Sequence, residues 1–105
     1  MVKSETPQQL DVQGGPEVLV TISYAASRQG RWEEKASADT PLSVVRDAAM
    51  AFFGVVDHVD SAGNGEVYEL MDRGTTFEDL SVTIGNLADT SGNLALRLVR
   101  RLVAG

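Results

Sequence analysis

Cysteine is absent from this chain of 105 residues. That removes disulfides, thiolate metal ligands and cysteine nucleophiles, and it suits a reducing compartment. Aromatic residues make up only 6%, so aliphatic side chains must fill most of the core. Histidine occurs once, at His58, and lysine only at Lys3 and Lys35. Long apolar runs are missing too. The longest, Ala48 to Val56, falls far short of the about 20 residues needed to span a bilayer. The opening MVKSETPQQL lacks the apolar core of a secretion signal. A formal net charge of -6 argues against broad contact with nucleic acid or an anionic membrane. These absences leave one cytoplasmic domain as the expectation.

Catalytic constellations are also missing. Asp57-His58-Val59-Asp60 has no second histidine to complete a metal site. Asp60 to Gly65 resembles a calcium loop only faintly, because Ala62 stands where a ligand oxygen is needed and Met71 where the bidentate glutamate should be. No GK[ST] follows Gly63-Asn64-Gly65, so it is not a phosphate loop. No serine sits in a nucleophile elbow. Glu33-Glu34 and Glu78-Asp79 are adjacent pairs, which on a strand point to opposite faces. The expectation is a protein without catalytic residues, metal or cofactor.

What is present is a pattern of strands around one helix. Residues 1–16 are polar and rich in Gln, Gly and Pro, and read as a flexible leader. Glu17 to Ala26 alternates, with Val18, Val20, Ile22 and Tyr24 on one face. Ser27 to Gly30 turns the chain, and Arg31 to Ala38 returns as a weaker strand with Trp32 covering the core. Asp39-Thr40-Pro41 starts a helix capped by Asp39 or Thr40. It runs to Phe53 on a buried stripe of Leu42, Val45, Ala49 and Phe52, and Gly54 ends it. Val55, Val56 and Val59 are expected to tuck under the helix. Glu66 to Met71 is a strand, Asp72-Arg73-Gly74 a turn, and Thr75 to Leu80 a short strand around Phe77. Ser81 to Leu87 is a tight helical turn offering Ile84 and Leu87 to the core.

The final stretch organises the rest. In NLALRLVRRLVAG, Leu94, Leu96 and Leu98 alternate with Ala95, Arg97 and Val99. This strand closes a mixed sheet by lying in its middle, parallel to the first strand. Acids crowd Asp57 to Asp79, where seven carboxylates accompany Arg73 alone, while the end carries Arg97, Arg100 and Arg101. These charges read first as solvated surfaces; the alternative is an acidic face for partners and a cationic end that an acidic groove could accept. Either the last strand runs on and Leu102 and Val103 pack, or in a free tail they are exposed contacts for a partner, the reading preferred here.

The chain resembles ubiquitin and the β-grasp ubiquitin-like family over about Glu17 to Gly105. The resemblance rests on the element order and on three stretches: Asp39-Thr40 opening a helix after a hairpin, Thr83-Ile84-Gly85-Asn86-Leu87 before the last strand, and Gly92 to Leu98 followed by an arginine-rich end on glycine. Its Ala- and Val-rich style is closer to bacterial ubiquitin-like proteins than to ubiquitin. The resemblance implies an α+β β-grasp, with a mixed four- to five-stranded sheet packed on one helix over 17–99. A flexible tail over 100–105 follows. It implies a modifier whose Gly105 carboxylate is adenylated with ATP by an activating enzyme, then joined to an amine of a target. Arg100, Arg101, Leu102, Val103 and Ala104 are what that enzyme would read. Conjugating-like enzymes and a deconjugating protease complete the implied partners, and the free protein is expected to be a monomer. Two alternatives share the fold: a binding module that is never conjugated, and a sulfur carrier with a C-terminal thiocarboxylate. The ending here is Ala104-Gly105 rather than a glycine pair. The apolar partner patch of ubiquitin has no counterpart, since its positions fall near Ser27 or Arg28 and near Glu69.

Overall fold

The computed structural model describes residues 16–105. The expected leader therefore lies outside the described residues, apart from Pro16, whose carbonyl accepts the Ala38 N–H at 2.9 Å. The elements are β1 (Glu17–Tyr24), β2 (Arg31–Ser37), α1 (Leu42–Phe53), β3 (His58–Val59), β4 (Gly65–Asp72), β5 (Thr75–Thr76), a 3₁₀ turn (Ile84–Asn86) and β6 (Asn93–Val103). The strands form one mixed sheet in the order β2-β1-β6-β4-β3, with β5 also pairing β4. As the leucine ladder implied, β6 lies parallel to β1, with Val20 opposite Leu94 and Ile22 opposite Leu96. It lies antiparallel to β4 on its other side.

Alternation decides the faces. Val18, Val20 and Ile22 of β1, Trp32 of β2, Tyr68 and Leu70 of β4, and Leu94, Leu96 and Leu98 of β6 are all buried toward α1. Ile84 closes one end of this core. Glu34 shares the face of Trp32 yet stays exposed. It sits on the edge strand, where its carboxylate reaches water around the side of the helix; an inward charge there also discourages edge pairing.

Three expectations about the helix are corrected. Its N-cap is Pro41, and no side chain caps it. Instead the Leu42 and Ser43 amides donate to the carbonyls of Val82 at 2.9 Å and Leu80 at 3.0 Å. The free donors of the first turn are thus met by backbone rather than by Asp39 or Thr40. The buried stripe is Leu42, Val45, Ala49, Met50 and Phe53, and Phe52 is 40% exposed. At 3.6 residues per turn, Phe53 returns to within roughly 20° of Leu42, whereas Phe52 points roughly 80° away. Val56 and Val59 do not tuck under the helix: Val56 is 72% exposed and Val59 half-exposed. Gly54 does end α1, in the left-handed region at φ 74°, and the Val55 N–H reaches back to the Met50 carbonyl.

The sheet has six strands, because β3 adds to the N-terminal end of β4 through His58 opposite Glu66 and Val59 opposite Gly65. The expected strand from Thr75 to Leu80 shrinks to Thr75–Thr76. Phe77 still packs against the core, and its N–H donates to the Leu70 carbonyl at 3.0 Å.

Candidate functional site: the C-terminal arm

The last strand runs on to Val103, four residues past the Val99 at which a flexible tail was expected to begin. The reason is β4. Its N-terminal half pairs with the end of β6: Glu69 with Val99, Tyr68 with Arg100, Val67 with Arg101, Glu66 with Leu102 and Gly65 with Val103. The tail is thus one side of a β-arm, backed by β4 and then by β3. Arg100 and Arg101 meet two of the central acids. Arg100 Nη1 lies 3.2 Å from Glu66 Oε1, and Arg101 Nε lies 2.8 Å from Glu69 Oε2. Both pairs are largely solvated, so each stabilises by about 1 kcal/mol at most. Leu102 stands opposite Glu66 in the ladder yet remains 71% exposed. Val103 is half-buried, and Ala104 and Gly105 are exposed beyond the last rung.

Gly105 is nevertheless placed. Its N–H donates to Asn64 Oδ1 at 2.8 Å. Its Cα rests on the turn from Asp60 to Asn64, so closely that an added Cβ would collide with the Ala62 carbonyl oxygen. This turn is built by Asp60. Asp60 Oδ1 accepts the N–H groups of Ala62 and Asn64, each at 2.9 Å, and the Asp60 N–H donates to the Asn64 carbonyl at 2.8 Å. Asp60 is therefore used by backbone amides. The same turn recurs before β6, where Asp89 Oδ1 accepts the N–H groups of Ser91 and Asn93 at 2.9 and 3.0 Å. The shared signal, Asp-x-x-Gly-Asn at 60–64 and 89–93, was open to sequence reasoning as a pair of Asx turns.

The other edge of β4 carries an ion pair. The Tyr68 N–H donates to Asp57 Oδ1 at 2.8 Å, and the Tyr68 carbonyl accepts Arg46 Nε–H at 2.9 Å. Arg46 Nη2 and Asp57 Oδ2 are 2.5 Å apart. Side chains thus satisfy a stretch of strand that β3 and β5 leave uncovered. No sequence pattern pointed to this closure, since the groups come from a helix and a loop eleven residues apart. Behind it, burial pushes the Tyr68 hydroxyl up to about 12, with the neighbouring Tyr24 adding to the shift. The two rings meet edge to face at 5.9 Å.

Tyr68 fixes the ladder's parity. Its backbone groups face Asp57 and Arg46, so it is the odd residues of β4 that bond β6. Val99, Arg101 and Val103 therefore exchange hydrogen bonds with Glu69, Val67 and Gly65. Arg100 and Leu102 turn their backbone groups to the opposite edge. There β1 has already ended at Tyr24, whose partner is Leu98.

No family model matches this chain, and no curated protein matches it. A search of solved structures finds Caldiarchaeum subterraneum ubiquitin, with a TM-score of 0.59 and 15% identity, covering 86% of this chain and 100% of that one. With the element order above, this shows a ubiquitin-like β-grasp: a mixed sheet packed on one helix. Among the described residues no helix is long and apolar enough to cross a membrane.

Proposed function

We propose that this chain is a ubiquitin-like protein modifier, activated with ATP by a separate enzyme and joined through the Gly105 carboxylate to an amine of a target protein. The observation that carries the reading is the construction of the arm. From Val99 onward β6 is paired on one side only, outside the helix-covered core, and it ends in the exposed Ala104 and Gly105. Peeling it away exchanges ladder hydrogen bonds and two solvated ion pairs for water, at a cost on the order of a few kcal/mol. The buried leucines of β6 end at Leu98 and stay in place; Tyr68, opposite Arg100, is the core residue that borders the peeled stretch. Arg100, Arg101, Leu102, Val103 and Ala104 would then lie in an activating enzyme's cleft, and Gly105 would present an unhindered carbonyl. In this reading the chain is the substrate of activating, conjugating-like and deconjugating enzymes in the cytoplasm. It supplies no catalytic group of its own.

The test is to express an epitope-tagged chain in its native cells and look for adducts that survive denaturation. Adducts with Gly105 linked to a lysine, lost when Gly105 is deleted while the protein stays folded, are the expected result. Adducts that persist without Gly105, or none at all, overturn it.

A second reading, a binding module that is never conjugated, is favoured by the contact of Gly105 with Ala62 and Asn64. That contact gives glycine a structural reason to stand there. Capture of a non-covalent partner, with no adducts, would select this reading. A terminal thiocarboxylate, seen as oxygen replaced by sulfur in the mass of the intact chain, would select a sulfur carrier.

A further inference from the structure

β6 outruns its neighbour. Beyond Leu98 no described residue pairs with the edge of β6 that faced β1. The backbone groups of Arg100 and Leu102 point into that space by the parity of the ladder. Two grooves flank the place where β1 leaves. One, of about 310 Å³, is lined by Tyr24, Ala25, Ala26, Leu98, Val99 and Arg100. The other, of about 200 Å³, includes Ser23, Gly30, Arg97 and Val99. Successive side chains of an added strand point to opposite faces, so a strand laid on this edge would offer its residues alternately to the two grooves.

The charge at this corner runs against that of the chain. Arg31 and Arg97 both stand opposite Ser23, one on each side, on the sheet face away from the helix. At the usual strand spacing their backbones are about 10 Å apart. Arg28 lies in the adjoining turn. All three are exposed, and among the described residues no carboxylate pairs with any of them. Arg100, on the helix side, is already matched by Glu66. The uncovered positive charge thus borders one groove, while Tyr24 and the exposed Leu102 make the helix side apolar.

We infer that an extended segment of a partner protein adds as a strand to the open edge of β6 at Arg100 and Leu102. It would carry acidic side chains on the face toward Arg97 and Arg31 and apolar ones on the face toward Tyr24 and Leu102. Main-chain hydrogen bonds would hold the segment, and the alternating side chains would select it. Pairing of two copies through this edge would bring their arginines together and is disfavoured. The inference goes beyond the proposed modifier role and does not use Gly105, so it can fail or hold independently of it.

The test is a titration of the nitrogen-15-labelled chain with a short synthetic peptide alternating aspartate and valine. The expected result is amide shifts centred on Arg100 and Leu102, binding that weakens with salt, and little binding of the same peptide with asparagine for aspartate. The double change Arg31→Glu and Arg97→Glu should weaken binding by about tenfold or more. Leu102→Pro removes an N–H from the open edge and none from the β4 ladder, so it should abolish binding while the β1 and β4 amides stay in place. Deleting Gly105 should leave binding unchanged. The inference falls if the asparagine peptide binds as well, if the shifts lie elsewhere, or if the double arginine variant binds normally. It falls equally if a thymidine oligonucleotide binds as tightly as the peptide, or if Arg100 and Leu102 shift with protein concentration alone.

Discussion

The two halves of β6 are one continuous strand under different rules. From Asn93 to Leu98 it is flanked by β1 and β4, and Leu94, Leu96 and Leu98 are buried under α1. From Val99 to Val103 it keeps β4, loses β1 and has no helix above it. Leu96 and Leu102 are the same residue type on the same face of the same strand, yet one is buried and the other exposed. The comparison teaches that backbone pairing does not make a core. The first half is held by burial and the second by hydrogen bonds and surface charge, so the second can be handled by a partner without unfolding the first.

The largest test of this contrast is Leu96→Ala. It should cost about 2–5 kcal/mol in chemical denaturation, through lost burial and the cavity left behind. A loss under about 1 kcal/mol would mean the central ladder is not the anchor. Arg46→Ala probes the junction of the halves. It takes the Arg46 donor from the Tyr68 carbonyl and the cation from Asp57, which keeps only the Tyr68 N–H, and should cost about 1–3 kcal/mol, read from the same denaturation curves.

The next effect appears only in alkali. The Tyr68 hydroxyl is raised from 10.0 to about 12 by burial, so the unfolded chain loses that proton first. Its contribution is fully present below about pH 10 and is lost as pH rises through about 12. Denaturation midpoints should fall over that window, and Tyr68→Phe should remove that part of the fall. The smallest effect belongs to Leu102→Ala, which should change stability by no more than about 0.5 kcal/mol. In hydrogen exchange, the Arg101 and Val103 amides should open far more readily than those of Leu94 and Leu96. Equal protection along β6 would erase the distinction between its halves.

Much of the fold was legible because burial writes a period into a sequence. The alternation of β1, the leucine ladder of β6 and the parallel pairing of the two follow from it. So does Ile84 in its tight turn. The phase of α1 was misread at its end, where two adjacent phenylalanines compete and only continuation of the stripe through Met50 picks Phe53. Of the candidate site, the stretch Arg100 to Gly105 could be named from the sequence, but its setting could not. Arg100 to Gly105 look the same in sequence whether free or paired. The Glu66, Glu69 and Asn64 that receive them lie more than thirty residues away.

The sequence by itself determined which faces of β1 and of the first half of β6 turn inward, where the chain turns and that the fold is a sheet on one helix. Those are local consequences of apolar spacing and of glycine and aspartate in turns. Only the tertiary structure decided where the sheet ends. A strand continues as long as a neighbour offers unpaired backbone groups. Whether β4 and the Asp60 turn stand beside Arg100 to Gly105 depends on how distant segments come together, and no local pattern of residues encodes it.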